Sequence, residues 1–156
     1  MMARIAERLA ELNIALPEPV APVAAYVPYV VTGQLVFLSG ALPMERGALT
    51  VTGRLGDGVD LAAGRAAARL CGLNLLAQLR EACGGDWERV ARCVRLGGFV
   101  ASTPDFFDHA KVINGASELM QQVFGEEGRH ARAAVGVAAL PLNAPVEIDA
   151  VFALRG

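Results

Sequence analysis

Arg132 and Glu147 carry the chemistry that stands out in the stretch from His130 to Leu154, HARAAVGVAALPLNAPVEIDAVFAL. Each interrupts a run of small and apolar residues. A guanidinium offers a planar fork that binds a carboxylate through two parallel hydrogen bonds. A carboxyl group can hold or move a proton. On spacing alone the commoner fate of such residues competes with these roles: charges at sheet ends, in solvent or in a structural ion pair.

The elements that must position them are two strands joined by the loop Pro141-Leu142-Asn143-Ala144-Pro145. In the second strand Val146, Ile148, Ala150, Phe152 and Leu154 alternate with Glu147, Asp149, Val151 and Ala153, so Glu147 and Asp149 share a face. The first run does not alternate, being small or apolar at both parities after Arg132. Such a strand wants both faces covered. One helix layer covers one face, which predicts an oligomer.

With 54% hydrophobic and 19% charged residues, 156 residues suit a single domain over 1–156 with a substantial core. Within it, 1–13 reads as an N-terminal helix and 14–25 as a proline-rich strap. A net charge of -2 supplies no basic field for a phosphate backbone, which weighs against nucleic acid as a partner. No signal-type or membrane-spanning run is visible, so a cytoplasmic location and no membrane partner are expected. Cys71, Cys83 and Cys93 form no C-x-x-C pair and read as reduced packing thiols.

Along the chain, Ile5, Leu9 and Leu12 make one face of a short helix from about Ala3 to Leu12. Pro17, Pro19, Pro22 and Pro28 hold the next segment extended. Tyr26 to Thr32 and Gln34 to Ser39 read as a strand pair around Gly33, with a short strand near Thr50 to Thr52. A long helix is predicted from Asp60, which can cap it, to about Cys83, with Gly84-Gly85 as its stop. Trp87 and Val90 sit in a short helical or turn segment before a strand over Cys93 to Ala101. Thr103-Pro104-Asp105 has the composition of a helix start, opening a helix to about Phe124. His109 and Asp105, one turn apart in that reading, suit a surface pair better than metal ligands, and no metal is expected. Arg129 and His130 beside Glu126 and Glu127 read as a solvated loop. Helices set apart from a mostly antiparallel sheet give an α+β layered domain.

An arginine followed by small residues and valines, then Leu-Pro, a loop and Val-Glu-Ile-Asp, resembles the signature of the reactive intermediate deaminase family, Rid or YjgF. The resemblance extends to Tyr26, to Ser39-Gly40 at the end of a hydrophobic strand, and to Val112-Ile113-Asn114, and covers most of the chain from about Pro22. It implies a chorismate-mutase-like fold: a mostly antiparallel mixed sheet with two long helices on one face, here with an added N-terminal helix, assembled as a homotrimer. It implies hydrolysis of 2-enamine or 2-imino acids to 2-oxo acids and ammonia in an inter-subunit cleft, without a cofactor. Residue by residue, Arg132 matches the arginine that grips the carboxylate and Glu147 the acid that positions water. Tyr26 matches a cleft-wall tyrosine, Ser39 and Gly40 the pocket floor, and Asn114 a helix asparagine near the neighbouring subunit's contribution. The family often has cysteine or threonine two residues after the arginine, where this chain has Ala134. A non-catalytic binder of small carboxylate metabolites is the alternative on the same frame, and the family's older endoribonuclease label ranks below both.

Overall fold

The elements follow the order the hydrophobic patterning predicts, and their boundaries show what sets each one. A computed structural model describes residues 5–21 and 25–156. The first helix, α1 (Ile5–Glu11), buries Ile5 and Leu9. Arg8 ties it to the body by donating to the Gln122 carbonyl at 2.9 Å. Ala3, where the sequence suggests the helix begins, and Pro22 of the strap lie outside the described residues. The strap up to Ala21 has no regular structure; Gln78 donates to its Val20 carbonyl at 2.8 Å.

Tyr29–Thr32 (β1) and Leu35–Ala41 (β2) pair antiparallel around Gly33, whose φ of 57° suits the tight turn. Tyr26 falls outside β1. The expected short strand near Thr50 is replaced by two small ladders. Met44–Glu45 (β3) pairs with Ala48–Leu49 (β4), and Arg54–Leu55 (β5) with Gly58–Val59 (β6). Helix α2 (Leu61–Ala82) starts as predicted, with the Asp60 carboxylate accepting from the Ala63 N–H at 2.8 Å. It ends where Gly84 and Gly85 turn to positive φ.

A 3-10 turn at Trp87–Arg89 leads into β7 (Val90–Ala101). Thr103-Pro104-Asp105 does not open the next helix. The Thr103 hydroxyl donates to the Asp105 carboxylate at 2.7 Å, closing a turn on itself rather than capping N–H groups. Helix α3 therefore runs His109–Phe124. His109 consequently does not sit one helical turn from Asp105; its Nε2 lies 3.1 Å from the Ser102 hydroxyl.

The last two strands, β8 (Ala131–Val137) and β9 (Val146–Leu154), are close in sequence and joined through a 3-10 turn at Pro141–Asn143. They are nevertheless not neighbours. The sheet order is β1-β2-β9-β7-β8, antiparallel except that β7 and β8 run parallel. Parallel neighbours need a crossover, and α3 supplies it. The result is an α+β fold with α2 and α3 on one face of a mostly antiparallel sheet.

That face holds the core: Val36, Leu38, Leu96, Ile148 and Phe152 of the sheet meet Leu75, Leu79, Ile113 and Leu119 of the helices. All three cysteines are free and buried; burial pushes the Cys93 thiol up to about 12. The other face of the sheet is bare among the described residues, with Val30, Phe37 and Val135 exposed on it. Among the described residues no helix is long and apolar enough to cross a membrane.

Candidate functional site

The residues singled out from the sequence gather into two clusters. In the first, Arg132 projects from β8 toward α3. Its NH1 donates to Asn114 Oδ1 at 2.7 Å and to Ser117 Oγ at 3.0 Å. Asn114 and Ser117 are three residues apart on one helix and so share a face. Arg132 forms no ion pair with a carboxylate among the described residues. The guanidinium is half-buried, anchored at one corner by neutral groups, and retains further donors. Ala134, next on the same face of β8, packs against the core.

Ser117 and His130 were not legible as site residues. His130 is no solvated loop residue: its Nε2 lies 2.9 Å from Ser117 Oγ, and its Nδ1 lies 2.6 Å from the Gly128 carbonyl oxygen. Burial lowers its pKa most; the Gly128 carbonyl opposes this, and the charges of Arg132 and Arg92 lower it further. Ser117 could have been found one helical turn beyond Asn114, and His130 by its separation of two residues from Arg132 on an extended segment.

In the second cluster Glu147 lies on the bare face of the sheet, over Gly40. A Cβ at position 40 would collide with the Glu147 carboxylate, so the glycine is what admits the acid. Burial raises the Glu147 pKa most, and the charge of Asp149 raises it further. Asp149 itself lies 3.9 Å from Arg95. Gly40 also lines a cavity of about 150 Å³ with Tyr26, Ser39, Leu42 and Asn74. Tyr26 is 52% exposed on its wall. The Ser39 hydroxyl donates to the Val27 carbonyl at 2.6 Å, which ties the strap to the end of β2. The Asn74 amide nitrogen donates to the Leu42 and Met44 carbonyls at 3.1 and 3.0 Å, leaving its buried Oδ1 without a partner among the described residues.

Register explains why one chain keeps the clusters apart. Arg132 pairs with Leu96, which pairs with Ala150, and that row faces the helices. Glu147 pairs with Phe99, which pairs with Val135, and that row faces outward. Partners in register share a face of the pleat. Arg132 and Glu147 thus point to opposite sides of the sheet with β7 between their strands. Arg132 and Asn114 are brought together; elsewhere Gly40 adjoins Glu147 and also shares a cavity with Tyr26 and Ser39, which Glu147 does not line.

This architecture coincides with known proteins along nearly its whole length. Residues 6–153 match the family model described as YjgF/chorismate mutase-like, which carries an endoribonuclease label. The chain belongs to the YjgF/RidA family. A protein of unknown function from Agrobacterium tumefaciens has a crystal structure that superposes with a TM-score of 0.91 at 50% identity, covering 99% of this chain and 95% of that one. A Shewanella oneidensis structure bearing the endoribonuclease label superposes at 0.92 with 35% identity, covering 96% and 99%. Protein TCP17 of Trypanosoma cruzi is 47% identical over 153 residues, or 97% of this chain and 95% of its own. RidA from a Psychrobacter species stands farther off, with a TM-score of 0.60 and 28% identity over 87% of this chain and 93% of its own. E. coli TdcF, solved with bound serine, gives 0.59 and 26% over 89% and 94%.

Proposed function

We propose that this YjgF/RidA protein hydrolyses reactive 2-imino acids, and the 2-enamine acids that tautomerise to them, to 2-oxo acids and ammonia. The observation that carries the reading is the Arg132 guanidinium, half-buried and held by two neutral oxygens while paired with no described carboxylate. Keeping such a group free of internal acids leaves its fork for an incoming carboxylate. The relative solved with serine shows an amino acid, a small carboxylate, on the same fold.

The site forms between copies in a homotrimer, with Arg132 and Asn114 from one chain and Glu147, Tyr26, Ser39 and Gly40 from the next. Arg132 grips the substrate carboxylate and so fixes the position of C2. Glu147, whose pKa burial raises, takes a proton from water as the water oxygen bonds to C2 and the C=N π pair moves to nitrogen. The proton then passes to nitrogen, giving a carbinolamine; its hydroxyl proton moves through Glu147 to the amino nitrogen as the C–O bond becomes a carbonyl, the C–N bond breaks with its electron pair on nitrogen, and ammonia leaves with Glu147 again ionised. Orientation and proton transfer suffice because the imine carbon is already electrophilic. No metal or organic cofactor takes part in these steps.

The test is release of 2-oxo acid when purified protein meets imines generated by an amino-acid oxidase. Acceleration that Arg132→Ala abolishes supports the reading; acceleration that survives the substitution overturns the clamp. Binding of small carboxylates with no turnover of small, branched or aromatic imino acids would leave the second reading, a carboxylate-binding protein on the same frame. The endoribonuclease label ranks third, since a net charge of -2 gives RNA little purchase.

A further inference from the structure

We infer that His130, acting through the Ser117 hydroxyl, is a positioning residue for Arg132, and that the neutral imidazole is the state in which the arginine is set to receive a carboxylate. The inference rests on the reading of Arg132 as a carboxylate clamp and adds the residues that aim it. Every proton in the chain of contacts can be assigned. The Gly128 carbonyl only accepts, so His130 Nδ1 carries the hydrogen and Nε2 is left with its lone pair. Ser117 has one proton and gives it to Nε2. Its oxygen then turns a lone pair toward Arg132 NH1, which donates to it at 3.0 Å. The imidazole tautomer is fixed at one end and the guanidinium orientation at the other, with a single hydroxyl between them.

Protonating His130 reverses the middle of this chain. Nε2–H becomes a donor, so the Ser117 oxygen must accept from both sides, and its own proton loses its acceptor. The Ser117 oxygen then divides its two lone pairs between His130 and Arg132, which weakens and re-aims that half of the Arg132 anchor, and a new like charge stands nearby. The charged groups that bear on the imidazole are Arg132 from β8 and Arg92 from β7. Helix α3 presents the neutral Ser117, the preceding turn presents the Gly128 carbonyl, and Glu126, Glu127 and Arg129 are exposed to solvent. Both charged neighbours are cationic, in keeping with an imidazole held neutral. An added cation would also draw a carboxylate toward the site. That attraction acts through an intervening residue and is partly screened by water, whereas the weakened hydrogen bond from Arg132 to Ser117 is a direct contact of the clamp.

The test is equilibrium binding of pyruvate, as a 2-oxo acid probe, to the assembled protein between pH 5 and 7.5 by calorimetry. It compares wild type with His130→Phe, Ser117→Ala, Ser117→Thr and Arg132→Ala, with thermal unfolding and assembly size recorded for each. Wild-type affinity should fall by up to about tenfold as pH drops toward 5, the cost of disturbing one charge-assisted hydrogen bond. His130→Phe and Ser117→Ala should bind roughly tenfold more weakly at pH 7.5 and lose the pH step. Ser117→Thr, which keeps the hydroxyl, should retain wild-type binding and the step. A pH step that persists in His130→Phe, affinity that rises on acidification, or Ser117→Ala binding like wild type would overturn the inference. If Arg132→Ala binds pyruvate as tightly as wild type, the carboxylate clamp itself fails instead.

Discussion

Glu147 occupies a position that costs the folded chain something: half-buried, with a second carboxylate on its own strand and no cation paired to it among the described residues. A raised pKa is the sign of that cost, and it makes the carboxylate a stronger base than an ordinary one. The sign of the pH effect follows. As the base, Glu147 works when ionised, so kcat should rise with pH through a midpoint above the usual carboxylate range. Glu147→Gln should flatten that limb and lower kcat by about 10²- to 10⁴-fold, the usual span for a general base. A steady-state pH profile of both proteins checks this, and an unchanged acid limb in Glu147→Gln would assign the titration to another group. Gly40 makes an independent prediction about the same carboxylate. Gly40→Ala places a methyl where Glu147 now lies and should push the acid aside. We expect kcat to drop roughly 10- to 100-fold, since displacing a reacting group by about 1 Å costs on the order of 10². Circular dichroism should show the fold retained, and full activity would mean that the Glu147 carboxylate does not need its present place.

At the scale of elements, α3 has two duties: it carries the chain from β7 to β8 and it holds Asn114 and Ser117 over Arg132. Its seat against α2 is set by Gly115, where a Cβ would strike the Arg65 backbone carbonyl rather than a side chain that could swing away. Gly115→Ala should therefore destabilise the protein by about 1–3 kcal/mol, as overpacking does. That corresponds to a fall of roughly 3–10 °C in Tm for a chain of this size. The shift should also loosen the Arg132 anchor, raising KM for a carboxylate substrate; differential scanning calorimetry with kinetics on the same sample checks both. The elements themselves were largely legible, because local rules fix them. Asp60 and Gly84-Gly85 bound α2 as capping chemistry requires, and the period-two pattern of residues 146–154 is the burial pattern of β9. The start of α3 was not, because Thr103 spends its hydroxyl on Asp105 within a turn. Nor was the insertion of β9 between β2 and β7. Strand order is decided by contacts far apart in sequence, and no local pattern around Pro141 to Pro145 reveals it.

That insertion governs what the whole molecule can do. Had β8 and β9 been neighbours, Arg132 and Glu147 would have stood one strand apart; with β7 between them and opposite parity, they face different sides of the sheet. A site that uses both must draw them from two chains, and the uncovered face with Val30, Phe37 and Val135 is the surface on which copies would meet. This part of the site could be named from the sequence residue by residue but not assembled from it, since neither parity nor strand order alone says which copy supplies which group. The arrangement makes a prediction that a single-chain site would not share. Arg132→Ala retains Glu147, and Glu147→Gln retains Arg132, so each is inactive alone and each carries what the other lacks. When equal amounts are unfolded and reassembled together, or co-expressed, roughly one site in four should receive Arg132 from one variant and Glu147 from the other, whichever closed symmetry the copies adopt. Activity should recover to about a quarter of wild type in the mixture, measured as 2-oxo acid release, while the double variant restores none when mixed with either single variant. If the equal mixture stays as inactive as its parents although mass spectrometry shows mixed assemblies, Arg132 and Glu147 do not act in one shared cleft.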